Sequence, residues 1–163
     1  MNKKITRFVI FALVAAAIVL ADQVTKLLVL QHIPEHGYVK VIPGLVCFTY
    51  VQNFGAAFSS FEGMQWLFAL VFLVMTAGVL LEYFWKNLGF NTFERWCIVA
   101  IYGGGLGNMI DRMRYGYVVD MIATEFIDVP VFNVADIFIT CGCIAMMVSL
   151  LLFNKNFWKE EKK

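Results

Sequence analysis

Charged side chains are scarce in this chain. They make up 15% of its 163 residues, against 61% hydrophobic, whereas soluble domains run nearer a quarter charged and half apolar. A soluble fold of this size could not hide that much apolar surface, so lipid has to cover it. The net charge of +1 gives no reason to expect nucleic-acid binding, which needs a basic patch or stripe. Histidine is nearly missing. His32 and His36 stand in His32-Ile33-Pro34-Glu35-His36, which is not HExxH, and Pro34 opposes the helix that would align both rings. A metal site would lack ligands. There is no Gly-x-Ser-x-Gly, and Ser59, Ser60 and Ser149 have no histidine base in sight, which argues against a serine hydrolase. The four cysteines, Cys47, Cys97, Cys141 and Cys143, form no CxxC pair. They read as small apolar residues of spans, with Cys47 in a loop, and tell nothing about redox compartment.

Long apolar runs are plentiful. A bilayer core of ~30 Å needs about 20 mostly apolar residues as a helix. Four segments qualify: 8–30, 64–85, 93–112 and 133–153. Lys3, Lys4 and Arg7 before a short apolar run resemble a secretory signal. The apolar pattern resumes after Lys26, however, and cleavage after Ala21 would sever the first span. Orientation follows the cations. With the N-terminus inside, nine inside cations (Lys3, Lys4, Arg7, Lys86, Arg95, Lys155, Lys159, Lys162, Lys163) stand against three outside (Lys40, Arg112, Arg114). Both termini are therefore expected in the cytoplasm, with 31–63 and 113–132 outside. Within the first of these, Tyr38 to Ile42 and Leu45 to Val51 read as strands about a Pro43-Gly44 turn. The expectation is an all-α membrane protein, one domain over 1–163, with four transmembrane helices and a small extracytoplasmic β-rich segment on the outer leaflet.

Charges at membrane depth are costly and are usually paired or functional. Asp22 and Lys26 are four apart and share a helix face. A self-neutralising ion pair is the simplest reading, in which case removing both leaves no orphan charge. Asn108, Asp111 and Arg112 share a face at the end of the third span and read first as a structural network. Gly103, Gly104, Gly105 and Gly107 read as close helix packing, and no Gly-Lys-Ser/Thr follows to make a phosphate loop. Asn133 suits a helix N-cap, which places Asp136 in the first turn, where the helix dipole favours a carboxylate. Asp120 is harder to explain structurally. It lies in an apolar, strand-like run with no basic residue within five positions after it. Asp136 follows in a segment long enough to fold back. Two carboxylates sharing one site cannot easily both ionise, which yields an acid and a base near neutral pH.

Together, Asp22-Gln23-Val24-Thr25-Lys26, Asn53-Phe54-Gly55-Ala56-Ala57-Phe58, Gly104-Gly105-Leu106-Gly107-Asn108-Met109-Ile110-Asp111-Arg112, Val118-Val119-Asp120 and Phe132-Asn133-Val134-Ala135-Asp136 resemble the lipoprotein signal peptidases, or signal peptidase II. The resemblance covers almost the whole chain. It implies that Asp120 and Asp136 are a catalytic pair of an aspartic endopeptidase. It implies that Asn53, Gly55, Asn108, Arg112 and Asn133 line or support the site, with Asp22, Lys26 and Asp111 in the supporting network. Met121 departs from the family, which usually has Phe there; Met is adaptable, and activity is expected to persist. The implied substrate is a diacylglyceryl-modified prolipoprotein cleaved just before its lipidated cysteine. The implied setting is the outer face of the bacterial cytoplasmic membrane, with membrane lipids as partners, a monomeric enzyme and no metal or organic cofactor. A small transporter is the rival reading, but the inner halves of the spans are nearly uncharged. A scaffold has no need of paired aspartates.

Overall fold

Six positions on the first helix, with a seventh just past its end, explain how the bundle is built. Phe11, Ala15, Ile18, Asp22, Lys26, Val29 and Ile33 are all buried, and their spacing of three and four traces one helical stripe. The two charges thus lie on the stripe that the apolar residues bury. The computed structural model describes residues 3–55, 60–85 and 88–154. Its helices are α1 (Lys3–His32), α2 (Gln65–Leu80, prolonged by a π-helical turn over Leu81–Trp85), α3 (Thr92–Tyr115) and α4 (Val134–Leu152). Its strands are β1 (Tyr38–Ile42), β2 (Val46–Asn53) and β3 (Val118–Thr124).

Three stretches, Lys4–His32, Gln65–Phe84 and Val134–Leu152, are long and apolar enough to cross a membrane. The helix expected at 93–112 is present as α3, but it falls outside that set because it carries Glu94, Arg95, Asp111, Arg112 and Arg114. Its position accounts for this. α3 packs against α1, α2 and α4 and buries Glu94, Asn108 and Asp111, so these polar groups meet protein. Close approach is needed along this helix. A Cβ at Gly104 would stand 2.5 Å from the Ala135 carbonyl oxygen, and one at Gly107 would stand 2.6 Å from Asp22 Oδ2.

Both α3 and α4 begin with reciprocal capping boxes, Asn91 with Glu94 and Asn133 with Asp136, each satisfying otherwise orphaned amides. The Asn133 cap expected from sequence is present. At the α3 N-terminal end Glu94 accepts from the Ser149 hydroxyl at 2.9 Å and from Asn154 Nδ2 at 2.7 Å. An apolar layer of Phe11, Ala15, Ile18, Val79 and Val99 then separates this network from the polar cluster at the other end of α3.

The strands form one antiparallel sheet in the order β1-β2-β3. β1 lies where the sequence placed it, whereas β2 starts one residue after the expected Leu45 and runs two past the expected Val51, so that it takes in Asn53. β3 comes from the second connecting segment, and its pairing with β2 was not anticipated. Its register sets Val51 opposite Asp120 and Asn53 opposite Val118. Cys47, expected in a loop, sits instead on β2 and is buried, its thiol 3.7 Å from the Ala123 carbonyl. The strand's alternation turns it inward.

Candidate active site

Asp120 lies on β3, and because side chains alternate along a strand it shares a sheet face with Asn53, two residues from its cross-strand partner Val51. Asn53 Nδ2 donates to Asp120 Oδ2 at 2.9 Å. Asn53 is itself aimed by the next turn, where the Gly55 backbone N–H donates to Asn53 Oδ1 at 3.0 Å. Asp136 arrives from another direction, on the first turn of α4, where its Oδ2 accepts from the Asn133 backbone N–H at 3.2 Å.

Asn133 joins the two carboxylates. Its backbone holds Asp136, and its side chain Nδ2 donates to Asp120 Oδ1 at 2.7 Å. Asn108, from α3, donates its Nδ2 to Asp136 Oδ1 at 2.7 Å and accepts at Oδ1 from Asn133 Nδ2 at 3.1 Å. Among the described residues neither aspartate has an ion-pair partner. Burial pushes the Asp120 carboxyl up from 3.8 to about 7, and the Asp136 charge adds to the rise, while the bonds from Asn53 and Asn133 act against it.

The supporting residues differ from expectation in one respect. Asp22 and Lys26 are not an isolated pair. Lys26 Nζ lies 2.8 Å from Asp22 Oδ2 and 2.8 Å from Asp111 Oδ2, and donates to Asn108 Oδ1 at 2.9 Å. Asp22 Oδ1 accepts from the Ala135 N–H at 3.0 Å, and Asp111 Oδ2 from the Val119 N–H at 3.1 Å. The triad therefore ties α1, α3, β3 and α4 together. Arg112 donates to the Gly55 carbonyl at 2.8 Å and to the Asn108 carbonyl at 3.3 Å, with its guanidinium 4.1 Å from the Phe68 ring centroid. It tethers the chain after β2 to α3. Ala56, Ala57 and Phe58 of the same motif lie outside the described residues.

Two contributors went unassigned in the sequence. Gln23 donates to Asp111 Oδ1 at 2.8 Å, and its place three residues before Lys26 was the available signal. Gln65 donates to the carbonyls of Phe54 and Gly116, at 3.2 and 2.9 Å; nothing in the sequence marked it.

Both aspartates open on a groove of about 750 Å³. Its floor is apolar, with Val71, Phe72 and Met75 from α2, Ile101 from α3 and Ile139 from α4. Among the described residues no group of three or more histidine, cysteine or acidic side chains could hold a metal ion. The arrangement offers one carboxylate that keeps its proton to near neutral pH beside a second, at the mouth of an apolar channel. That is the equipment for acid–base hydrolysis.

Residues 14–152 match a sequence model of the family described as signal peptidase (SPase) II. A lipoprotein signal peptidase of Streptococcus agalactiae serotype V is 39% identical over 155 residues, covering 95% of this chain and 96% of its own. One of Streptococcus pyogenes serotype M1 is 38% identical over 152 residues, covering 93% and 95%. A solved structure described as a bacterial membrane enzyme at 2.3 Å resolution superposes with a TM-score of 0.82 at 32% identity, covering 94% of this chain and 93% of that one.

Proposed function

The chain belongs to the signal peptidase II family, a membrane protease that removes signal peptides from bacterial prolipoproteins, and on that premise we propose that Asp120 and Asp136 are its catalytic pair. The observation that carries the reading is Asn133, which bonds both carboxylates at once. Asp120 is the acid, since its burial holds the proton on. Asp136, half-buried at the α4 N-terminus, is the base. It takes a proton from water, whose oxygen attacks the scissile carbonyl carbon while Asp120 protonates the carbonyl oxygen. On collapse the hydroxyl returns its proton to Asp120, the C–N bond breaks, and Asp136 passes its proton to the leaving amine. The pair is regenerated.

The substrate is a prolipoprotein carrying diacylglycerol on cysteine, cleaved just before that residue. The apolar groove between α2, α3 and α4 suits its acyl chains. α3 serves as the fourth span, the sheet lies on the outer leaflet, and the enzyme acts as a monomer. Purified protein in detergent, with EDTA present, is expected to shift a diacylglyceryl-modified prolipoprotein to lower mass on a gel and to leave the unlipidated precursor intact. Cleavage of both alike would refute the lipid requirement.

The pH dependence has a definite sign. Asp120 is competent as an acid only while protonated, so turnover is expected to fall as pH rises through about 7. Asn53→Leu removes a bond to the charged form, and its alkaline limb is expected to move upward. Stability follows the same group. The folded chain binds this proton more tightly than the unfolded one, so the contribution is complete below 3.8 and lost as pH rises to about 7. Rate profiles and detergent melting curves against pH check both.

Orientation rests on the cations. Arg7 and Arg95 lie at the helix ends remote from the aspartates, by their places on α1 and α3, whereas Lys86, Lys155, Lys159, Lys162 and Lys163 lie outside the described residues. With both termini cytoplasmic, an impermeant thiol reagent applied to intact cells is expected to label Glu62→Cys and spare Lys162→Cys in a chain lacking its native cysteines. The reverse pattern would turn the aspartates to the cytoplasm.

A further inference from the structure

We propose that Lys26 is a positioning residue for the hydrolysis, fixing the Asn108 side-chain amide so that its NH₂ faces Asp136. The inference rests on Asp136 being catalytic, and it goes beyond the ion-pair role that its spacing from Asp22 suggests.

An ammonium has three donors and no acceptor. Lys26 is almost fully buried, and its Nζ has three oxygens around it: Asp22 Oδ2 and Asp111 Oδ2 at 2.8 Å and Asn108 Oδ1 at 2.9 Å. The two carboxylates would neutralise Lys26 without Asn108, so the third contact does something other than balance charge. It settles which way an amide points. The two ends of an asparagine amide are nearly equal in shape, and only their partners tell them apart. A donor-only neighbour compels the oxygen to face it. Asn133 Nδ2 donates to the same oxygen at 3.1 Å, so turning Asn108 over would set its NH₂ against two donors. With the oxygen thus held, the NH₂ has one direction left, toward Asp136 Oδ1 at 2.7 Å. Asn133 extends the chain to Asp120 Oδ1. One ammonium on α1 thereby sets the donor pattern around carboxylates carried by α4 and β3. A misaligned reacting group can lower a rate by ~10²-fold, so the effect belongs in kcat.

Three variants test this, each purified as folded protein and assayed for kcat and KM on a diacylglyceryl-modified prolipoprotein. Lys26→Met frees Asn108 to turn, and kcat is expected to fall about 10- to 100-fold with KM within about threefold of the parent. Asn108→Asp keeps acceptors for Lys26 and Asn133 but replaces the NH₂ that Asp136 accepts, and its kcat is expected to fall at least as far. Ser149→Ala removes a buried bond to Glu94 at the far end of α3, so it loosens the bundle without touching the relay. Its yield is expected to drop while kcat stays within about threefold. Loss of kcat in Ser149→Ala as large as in Lys26→Met overturns the relay in favour of a general packing role, as does retention of kcat by Asn108→Asp or Lys26→Met. Should Lys26→Met not accumulate, the contrast between the other two decides. Turnover by Asp136→Asn in the same assay would overturn the catalytic pair itself, a failure distinguishable from loss of the relay alone.

Discussion

Asp120→Asn and Asp136→Asn are each expected to abolish prolipoprotein cleavage, lowering turnover by on the order of 10³- to 10⁴-fold, while the protein still inserts and folds. An asparagine in either place neither carries nor accepts the transferred proton, and general acid–base steps supply rate factors of about this size. The double variant is expected to be little slower than either single one, because members of a catalytic unit do not contribute additively. Each substitution also opposes an amide NH₂ to a donor, Asn53 or Asn133 at Asp120 and Asn108 at Asp136. The measurement is therefore paired with a melting curve, so that loss of chemistry is read on folded protein. Cleavage within tenfold of the parent by either single variant would dismiss the pair.

The second large effect is on stability. Lys26→Ala is expected to lower the amount of folded protein sharply, since removing one member of a buried ion pair costs about 3–5 kcal/mol and here leaves two carboxylates without their cation; Asp22→Ala, which leaves Lys26 paired with Asp111, is expected to cost less. Read as an isolated pair, the two residues predict that replacing both recovers part of the folded protein. The structure reverses that expectation. Asp111 also pairs with Lys26 at 2.8 Å and is itself fully buried, so Asp22→Ala with Lys26→Ala strands a third charge and recovers nothing. Adding Asp111→Asn is expected to restore part of the yield, because the asparagine oxygen still accepts from the Val119 N–H that Asp111 holds. Size-exclusion yield and melting temperature in detergent check this. Recovery by the double variant equal to that of the triple would show that Asp111 is not energetically part of the cluster.

Local periodicity carried much of the architecture. The buried stripe of α1, the Asn133 cap ahead of Asp136 and the two strands around Pro43-Gly44 all depend on residues within a few positions of one another, and such relations can be read along the chain. The pairing of β2 with β3 could not be. It joins Asn53 to Asp120 across 67 positions, and no short-range pattern encodes which strand a second strand will choose. The place of α3 is a similar case. Its charges weaken it as a span on composition, and only the three helices packed around it show where those charges face.

The kinds of side chain needed for the chemistry, and their order, were legible in the residues, since two aspartates without cations and a set of asparagines stand out in an apolar chain. How those side chains divide the work came from packing. Lys26 could be matched to Asp22 by spacing alone, but its contacts with Asp111 and Asn108, 82 positions away in the latter case, arise where α1 meets α3. Asp120 could be seen as an acid in an apolar run, but its tendency to keep a proton depends on burial and on the charge of Asp136. Both are properties of atoms brought together by folding, because desolvation and Coulomb energy vary with distance in space and not with distance along the chain.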